Sequence, residues 1–215
     1  MNSILEADTR LLVRLAAAIA GATEQVTRGV IDEVVGAVRP DLVDEVILQS
    51  YLFAGFPRTL NAARMWRLAS GVPAPSSDES ASSRHIHEWE SRGEATCAIV
   101  YGDSYEILRR NVRELHPALD AWMITDGYGK VLSRPALDLR CRELCIVAAC
   151  AAAGQQRQLH SHLHGALNSG ASADEIAATL DSLDDLVDKP VLSRYRTLLG
   201  RVLASRRSEA SAEST

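Results

Sequence analysis

The chain has 215 residues, a formal net charge of -5 and an aromatic content of 5%. A chain of this length forms one large domain or two small ones. The negative charge argues against a nucleic-acid-binding surface, which needs clustered cations, and no apolar run is long enough to cross a bilayer. Residues 1–8 are acidic where a signal peptide would be basic, so we predict a cytoplasmic protein with no membrane or nucleic-acid partner.

Helical periodicity recurs along the whole chain, so the predicted fold class is all-α, a helical bundle. In the first half we predict a helix over residues 4–20, a second helix capped by Thr23, and a third that ends before Pro57 opens a fourth. A weak internal similarity, which aligns Gly21 with Gly154, leaves open whether the chain holds two pseudo-repeats.

Composition divides the chain into four segments. Residues 71–84 are rich in serine and proline, and they cannot offset the entropy of ordering through burial, so we predict a flexible linker there. The linker separates an N-terminal helical half from a helical core, and a polar tail follows the core. The predicted boundaries are residues 1–70 for the helical half, 85–204 for the core and 205–215 for the tail.

The core is predicted to contain several helices. Their periodicity covers residues 105–115, 139–153 and 156–168, and the glycines within residues 127–129 are expected to interrupt the helical pattern. Ser172 begins a capping box, which predicts the start of a later helix.

Four cysteines are present, and none has the spacing of a metal finger: Cys97, Cys141, Cys145 and Cys150. We expect buried free thiols. His160 and His164 align on one helix face, but two ligands without a carboxylate are too few for a typical metal site. His85 and His87 would add ligands only from beside the linker. We therefore predict no metal and leave the role of His160 and His164 open.

A candidate acid–base site follows from helix geometry. Gln155, Gln158 and His162 are spaced so that they share one helix face. If the two helices around Gly154 form an antiparallel hairpin, the side chains of Glu143 and His162 could meet. A carboxylate beside an imidazole orients the ring and raises its basicity, as a general acid–base requires. The alternative is a structural ion pair.

The segment from Arg134 to Gly170 resembles the carboxymuconolactone decarboxylase and alkylhydroperoxidase D superfamily. Arg134-Pro-Ala-Leu-Asp-Leu-Arg-Cys-Arg-Glu143 is similar to the Arg-Pro-Gly-Leu-Asp-x-Arg-x-Arg-Glu motif of the decarboxylase branch. Gly-Ala-Leu-Asn-Ser-Gly170 resembles its Ala-Ala-Leu-Asn-Asn-Gly. In the alkylhydroperoxidase branch, cysteines occupy the positions of Gln155 and Gln158, as Cys-x-x-Cys-x-x-x-His.

This resemblance implies a bundle that assembles as a dimer, trimer or hexamer. It also implies a lyase that needs no cofactor and removes carbon dioxide from a small carboxylated lactone, as in aromatic-compound catabolism. His162 would be the acid–base and Glu143 its orienting partner. A cation should hold the substrate carboxylate. The candidate substrate-binding residues in the core are Gln155, Gln158, Arg134, Arg140 and Arg142.

Two other functions remain open at this stage. One is peroxiredoxin-like reduction of hydroperoxides, which needs a low-pKa thiolate and a resolving thiol. Gln155 and Gln158 supply neither. The other is a non-catalytic family member retained for assembly or ligand binding.

One segment typical of the family is displaced along the chain. Family members follow the histidine helix with a Tyr-x-Gly-Phe-Pro-containing segment, whereas here Tyr51-Leu-Phe-Ala-Gly-Phe56-Pro lies in the first half. We predict that the first half folds back to complete the pocket, or reaches the pocket of a neighbouring subunit. Tyr51, Phe56 and Asn61 are then candidate wall residues, with simple packing as the alternative for each.

Overall fold

The computed structural model describes residues 4–213, and the regular elements of that range are all helical, as the sequence predicted. Residues 1–3 of the acidic start and residues 214–215 of the predicted tail lie outside it. The elements are α1 (Ala7–Gly21), α2 (Glu24–Val34), α3 (Pro40–Ser70), α4 (Ile86–Tyr101), α5 (Tyr105–Leu115), α6 (Pro117–Trp122), a π-helical segment (Met123–Leu132), α7 (Leu139–Ala152), α8 (Gln156–Asn168), α9 (Ala173–Asp181) and α10 (Lys189–Glu213).

Helix ends are fixed by the capping residues that the sequence indicated. The Thr23 side chain accepts a hydrogen bond from the Val26 N–H at the start of α2. Ser172 and Glu175 form a complete capping box at the start of α9. Each cap satisfies backbone N–H groups that have no partner within the helix. At the other end, α10 continues to Glu213 through most of the segment assigned to the tail.

The helix α3 consists of two arms that meet at Gly55. That glycine has φ 76° and ψ 162°, outside the helical region, in a conformation that L side chains rarely adopt. Pro57 lies two residues later, and its fixed φ suits the first turn of the second arm. The two arms are those predicted from the sequence. The bend between them places the segment from Tyr51 to Phe56 beside the core.

The centre of the fold is α7, in which every residue from 141 to 151 is buried. Helix α1 packs along it closely, and a Cβ on Gly21 would lie 2.4 Å from the carbonyl oxygen of Ala152. Gly154, which the weak internal similarity aligns with Gly21, instead has φ 70° and ends α7. The two glycines therefore have different structural roles, and the duplication stays a prediction.

The π-helical segment was not predicted. In place of the interruption expected at residues 127–129, the chain continues in wide helical turns that pack against α4. The contact is backbone to backbone. A Cβ on Gly129 would lie 1.8 Å from the carbonyl oxygen of Trp89, and one on Gly93 would lie 2.1 Å from that of Ile124. The glycines are therefore needed for close packing between elements.

A buried ionic cluster joins the first half to the core. Arg142 is fully buried, and its guanidinium contacts Glu45 at 2.6 Å and Gln49 at 3.1 Å. Arg134 contacts Glu45 at 2.8 Å and Asp78 at 3.0 Å. The second contact anchors part of the predicted linker, which forms short 3-10 turns at Glu79–Ala81 and Ser83–His85. Within residues 4–213, no helix combines the length and apolarity needed to span a bilayer.

Candidate active site

Glu143 and His162 meet between α7 and α8. The helices pack against each other on either side of the turn at Gly154, and Oε2 of Glu143 lies 2.8 Å from Nδ1 of His162. Both residues are buried, with 0% and 5% of their surface exposed. The hairpin geometry expected from the sequence therefore brings the two predicted catalytic residues together.

This contact determines which nitrogen of the imidazole is left to meet a ligand. A carboxylate can only accept, so the Nδ1–H of His162 donates to Glu143 and leaves Nε2 for a ligand. The second carboxylate oxygen, Oε1, is buried and has no hydrogen-bond partner within the described part of the chain. The carboxylate is thus committed to His162 alone, which suits a residue that orients the ring and stabilises its charged form.

His162 lies in the wall of a cleft of about 610 Å³. The walls come from both halves of the chain and are mainly aromatic and aliphatic. They comprise Tyr51, Leu52, Phe53, Phe56, Tyr101, Leu119, Trp122, Met123, Asp126, Gly127, Tyr128, Lys130, Leu132 and His162. A concave, largely apolar site with a few polar groups is the usual form of a small-molecule site. The first half completes this cleft within a single chain.

Residues next to the α3 bend hold the cleft against His162. The ring of Phe53 meets that of His162 edge-on, with centroids 5.7 Å apart. Gln155 donates from Nε2 to the Phe53 carbonyl oxygen at 3.3 Å. Gln155 does not line the cleft, so its role there is to fix the position of Phe53. Sequence analysis did not single out Phe53, although it lies inside the Tyr51–Pro57 segment.

Two of the predicted wall residues do line the cleft. The rings of Tyr51 and Phe56 stack with centroids 4.9 Å apart. Phe56 is 63% exposed and forms part of the rim. On the opposite wall, Tyr101 and Tyr128 pack edge to face with centroids 6.2 Å apart. Burial raises the pKa of Tyr101 to about 12 and also raises the pKa of Tyr128, so both hydroxyls stay protonated at neutral pH.

The structure does not bring the other predicted substrate-binding residues to the cleft. Each arginine is committed to a carboxylate: Arg134 and Arg142 to Glu45, and Arg140 to Glu175. Adjacent residues on a helix point about 100° apart, so Arg142 faces α3 while Glu143 faces α8. Of the remaining candidates, Gln158 is exposed, and Asn61 donates to Glu24 at 2.7 Å beside a different pocket.

The cleft instead contains a cation that sequence analysis missed. Lys130, on the π-helical segment, lines the cleft, and its Nζ lies 5.0 Å from the centre of the Trp89 ring. Among the side chains that the structure describes, none supplies a carboxylate within 4.0 Å of that ammonium. Asp126, four residues earlier, lines the same cleft. Lys130 belongs to the segment Asp126-Gly-Tyr-Gly-Lys130. The glycines of this segment predicted an interrupted helix, so Lys130 was not a candidate.

The four cysteines lie elsewhere. All are free and buried, and none lines the cleft. Burial raises the pKa of Cys97 and that of Cys150 to about 12, so the reactive thiolate is scarce at neutral pH. His160 and His164 line a separate pocket on the other side of α8. In the described range, no three histidine, cysteine or acidic side chains are grouped to bind a metal.

A comparison with known proteins identifies a family that resembles the part of the chain containing the Glu143–His162 pair. The model of the carboxymuconolactone decarboxylase family matches residues 117–196. The match includes Lys130, Glu143 and His162, and it confirms the resemblance found in the sequence motifs. Residues 117–196 are therefore similar to that family.

A second similarity extends beyond the family segment. Peroxisomal protein 2 of Schizosaccharomyces pombe (strain 972 / ATCC 24843) is 28% identical to this chain over 180 residues, which cover 81% of this chain and 84% of that protein. An alignment of that length must include part of the chain before residue 117. The similarity therefore reaches into the half that supplies the α3 wall of the cleft.

Proposed function

We propose that this chain is an enzyme that carries out acid–base chemistry at carbon, without a cofactor, on a carboxylated substrate. The reaction that its family suggests is loss of carbon dioxide from a carboxylated unsaturated lactone. One observation supports the proposal most strongly: the buried Glu143–His162 pair, 2.8 Å apart, with the imidazole in the wall of an apolar cleft.

The roles of the two residues follow from the balance of the reaction. The bond to the carboxylate breaks, carbon dioxide leaves, and the electron pair passes into the conjugated carbonyl system. A proton must then be added at carbon. Protonated His162 supplies it from Nε2 and regains a proton from water, while Glu143 keeps the ring oriented and stabilises its positive charge. The hydroxyls of Tyr101 and Tyr128 are hydrogen-bonded to each other, which leaves one hydroxyl proton to donate to the developing enolate oxygen.

The alternative functions have less support. A thiol peroxidase needs an accessible low-pKa cysteine at the site, whereas the cleft contains none and the cysteine thiols are buried. A ligand-binding protein without turnover would use the same cleft. The Glu143 carboxylate favours catalysis over that alternative, because it does not line the cleft to bind a ligand and instead orients the imidazole of His162.

The test is turnover of a panel of carboxylated unsaturated lactones, carboxymuconolactone among them, by wild type and His162→Gln. Consumption is followed by ultraviolet absorbance and release of carbon dioxide, beside a hydroperoxide assay. We expect one or more lactones to be consumed at a rate that falls about 10²- to 10⁴-fold in the variant. No consumption of any lactone, or an undiminished rate in folded His162→Gln, would contradict the proposal.

Assembly and location complete the proposal. We propose a homo-oligomer, as the family resemblance implies, which sedimentation at micromolar concentration would test. A cytoplasmic location is proposed from the sequence. The name of the Schizosaccharomyces pombe relative makes the peroxisome the alternative, and imaging of a tagged chain in its own cells separates the two.

A further inference from the structure

We propose that the cleft beside His162 selects an amphipathic ligand with one carboxylate and a long apolar body, and that Lys130 holds the carboxylate. The inference deepens the proposed function and rests on it only in taking this cleft as the substrate site. It distinguishes the ligand from a compact dicarboxylate, which the family's name alone would suggest.

The size and lining of the cleft favour an extended apolar body. Its volume of about 610 Å³ gives room for roughly twenty non-hydrogen atoms, if each takes about the 30 Å³ of one water molecule. At the rim, Phe56 is 63% and Trp122 60% exposed, and Leu119 is 48% exposed. Large apolar side chains left exposed around a cleft indicate a surface that an apolar partner covers.

The charges of the cleft favour a single carboxylate. Among its described wall residues, Lys130 is the only lysine or arginine and Asp126 the only acid. The ammonium of Lys130 has no carboxylate within 4.0 Å in the described range, and it lies against the Trp89 ring, which holds it without neutralising it. An incoming carboxylate therefore meets an available cation.

A second carboxylate would meet Asp126 instead. Asp126 and Lys130 are four residues apart on the π-helical segment, where a turn takes more than four residues, so they share a side of the segment. The arginines that could have held another anion are paired with Glu45 and Glu175. Repulsion between Asp126 and a second carboxylate therefore contributes to specificity, together with the attraction between Lys130 and the first.

The proposal is tested by binding, separately from turnover. Decanoate, decanedioate and decanamide have the same chain length and carry one, two and no carboxylates. Their dissociation constants are measured by calorimetry on the full chain, with intrinsic tryptophan fluorescence as a second signal. We expect decanoate to bind at least about 10-fold more tightly than either of the others, because one carboxylate finds Lys130 without meeting Asp126.

Two variants and one matched control test whether Lys130 and Asp126 cause this preference. Lys130→Met should weaken decanoate binding about 10-fold or more, and Asp126→Asn should strengthen decanedioate binding selectively. Lys189 is the other lysine of the chain and is exposed outside the cleft, so Lys189→Met makes the same change in net charge and should leave binding unchanged. Circular dichroism checks that each variant is folded.

The proposed ligand class and the proposed reaction can then be contradicted independently. If decanoate binds through Lys130 but no lactone is turned over, the ligand class stands and the proposed reaction falls. If lactones are turned over through His162 but decanedioate binds as tightly as decanoate, the ligand class is overturned and the reaction stands. Equal binding by Lys130→Met and Lys189→Met, or no binding of decanoate by wild type, would likewise overturn the ligand class.

Discussion

A Cβ atom on Gly165 would lie 2.6 Å from Oε2 of Glu143 and 2.7 Å from Cγ1 of Val100. The backbone of α8 therefore runs directly against the carboxylate. Gly165 is three residues after His162, on the same side of the helix. Only the smallest residue at this position allows α8 to approach closely enough for the 2.8 Å contact between Glu143 and His162.

Gly165→Ala should therefore displace the Glu143 carboxylate. We expect the free energy of unfolding to fall by about 1–3 kcal/mol, the usual cost of overpacking, and turnover to fall with it because His162 loses its orienting partner. Gly200 is the matched control, since it lies in α10 and a Cβ there would meet nothing within 4 Å. Gly200→Ala should be neutral or stabilise by up to about 1 kcal/mol. Equal effects of the two substitutions in urea unfolding would contradict this packing.

Glu143→Gln should separate orientation from charge. The amide oxygen can still accept from Nδ1 of His162, so we expect the fold to survive while the charged imidazole loses its stabilising carboxylate. The fall in turnover should approach that of His162→Gln, within the range of about 10²- to 10⁴-fold. Glu143→Ala, by comparison, leaves a buried imidazole N–H unpaired, which costs about 1–3 kcal/mol of stability. Full activity in Glu143→Gln would show that the carboxylate charge is not needed.

The buried arginine should act on stability. Arg142→Met leaves Glu45 in the interior with Arg134 as its remaining partner. Breaking a buried pair in this way costs about 3 kcal/mol or more. The control is Arg39→Met, which removes an exposed pair with Asp41 and should leave the unfolding free energy nearly unchanged. A fully stable Arg142→Met with impaired binding of substrate would restore the role first predicted from the sequence.

Acid should weaken the fold partly through Asp120. The hydrogen bond from Arg109, with a second from Arg113, lowers the pKa of this buried carboxyl. A lowered folded-state pKa contributes stability above the unfolded value, about 3.9, and that stability is lost as the pH falls through the folded value. Asp120→Asn should flatten the fall in unfolding free energy between about pH 5 and pH 2. The exposed Asp103→Asn is the control, and an identical pH profile in both variants would contradict the assignment.

The cysteines should be inert until the chain unfolds. Because burial raises the pKa of Cys97 and of Cys150 to about 12, their thiolates are scarce at neutral pH. We expect slow labelling by a thiol reagent in the native protein, rapid labelling in denaturant, and no peroxidase activity with a dithiol reductant. A fast-reacting thiol at pH 7 in the folded chain would reopen the peroxiredoxin alternative.

The sequence predicted those features that depend on local rules. The Gly154 turn fixes the register between α7 and α8, so the distance along the chain was enough to place Glu143 beside His162. Capping by Thr23 and Ser172 is equally local. The second arm of α3 was predicted because Pro57 is compatible with the first turn of a helix and incompatible with its interior.

Features that depend on distant partners could not be predicted in this way. Arg142 is paired with Glu45, 97 residues away in the chain, and no local pattern distinguishes such an arginine from one that binds substrate. The π-helical segment forms where Gly93 and Gly129 let two backbones touch. Without that packing partner, glycine indicates a helix break, which is why Lys130 was missed.

The role of His162 is tested most directly by the origin of the proton added at carbon. Wild type and His162→Gln are incubated in D2O with the lactone that wild type consumes fastest, and the product is analysed by mass spectrometry. We expect wild type to place one deuterium on a carbon of the conjugated system that accepts the electron pair, at a rate about 10²- to 10⁴-fold above that of the folded variant. Equal rates of deuterium incorporation would contradict the assignment of His162 as the acid–base.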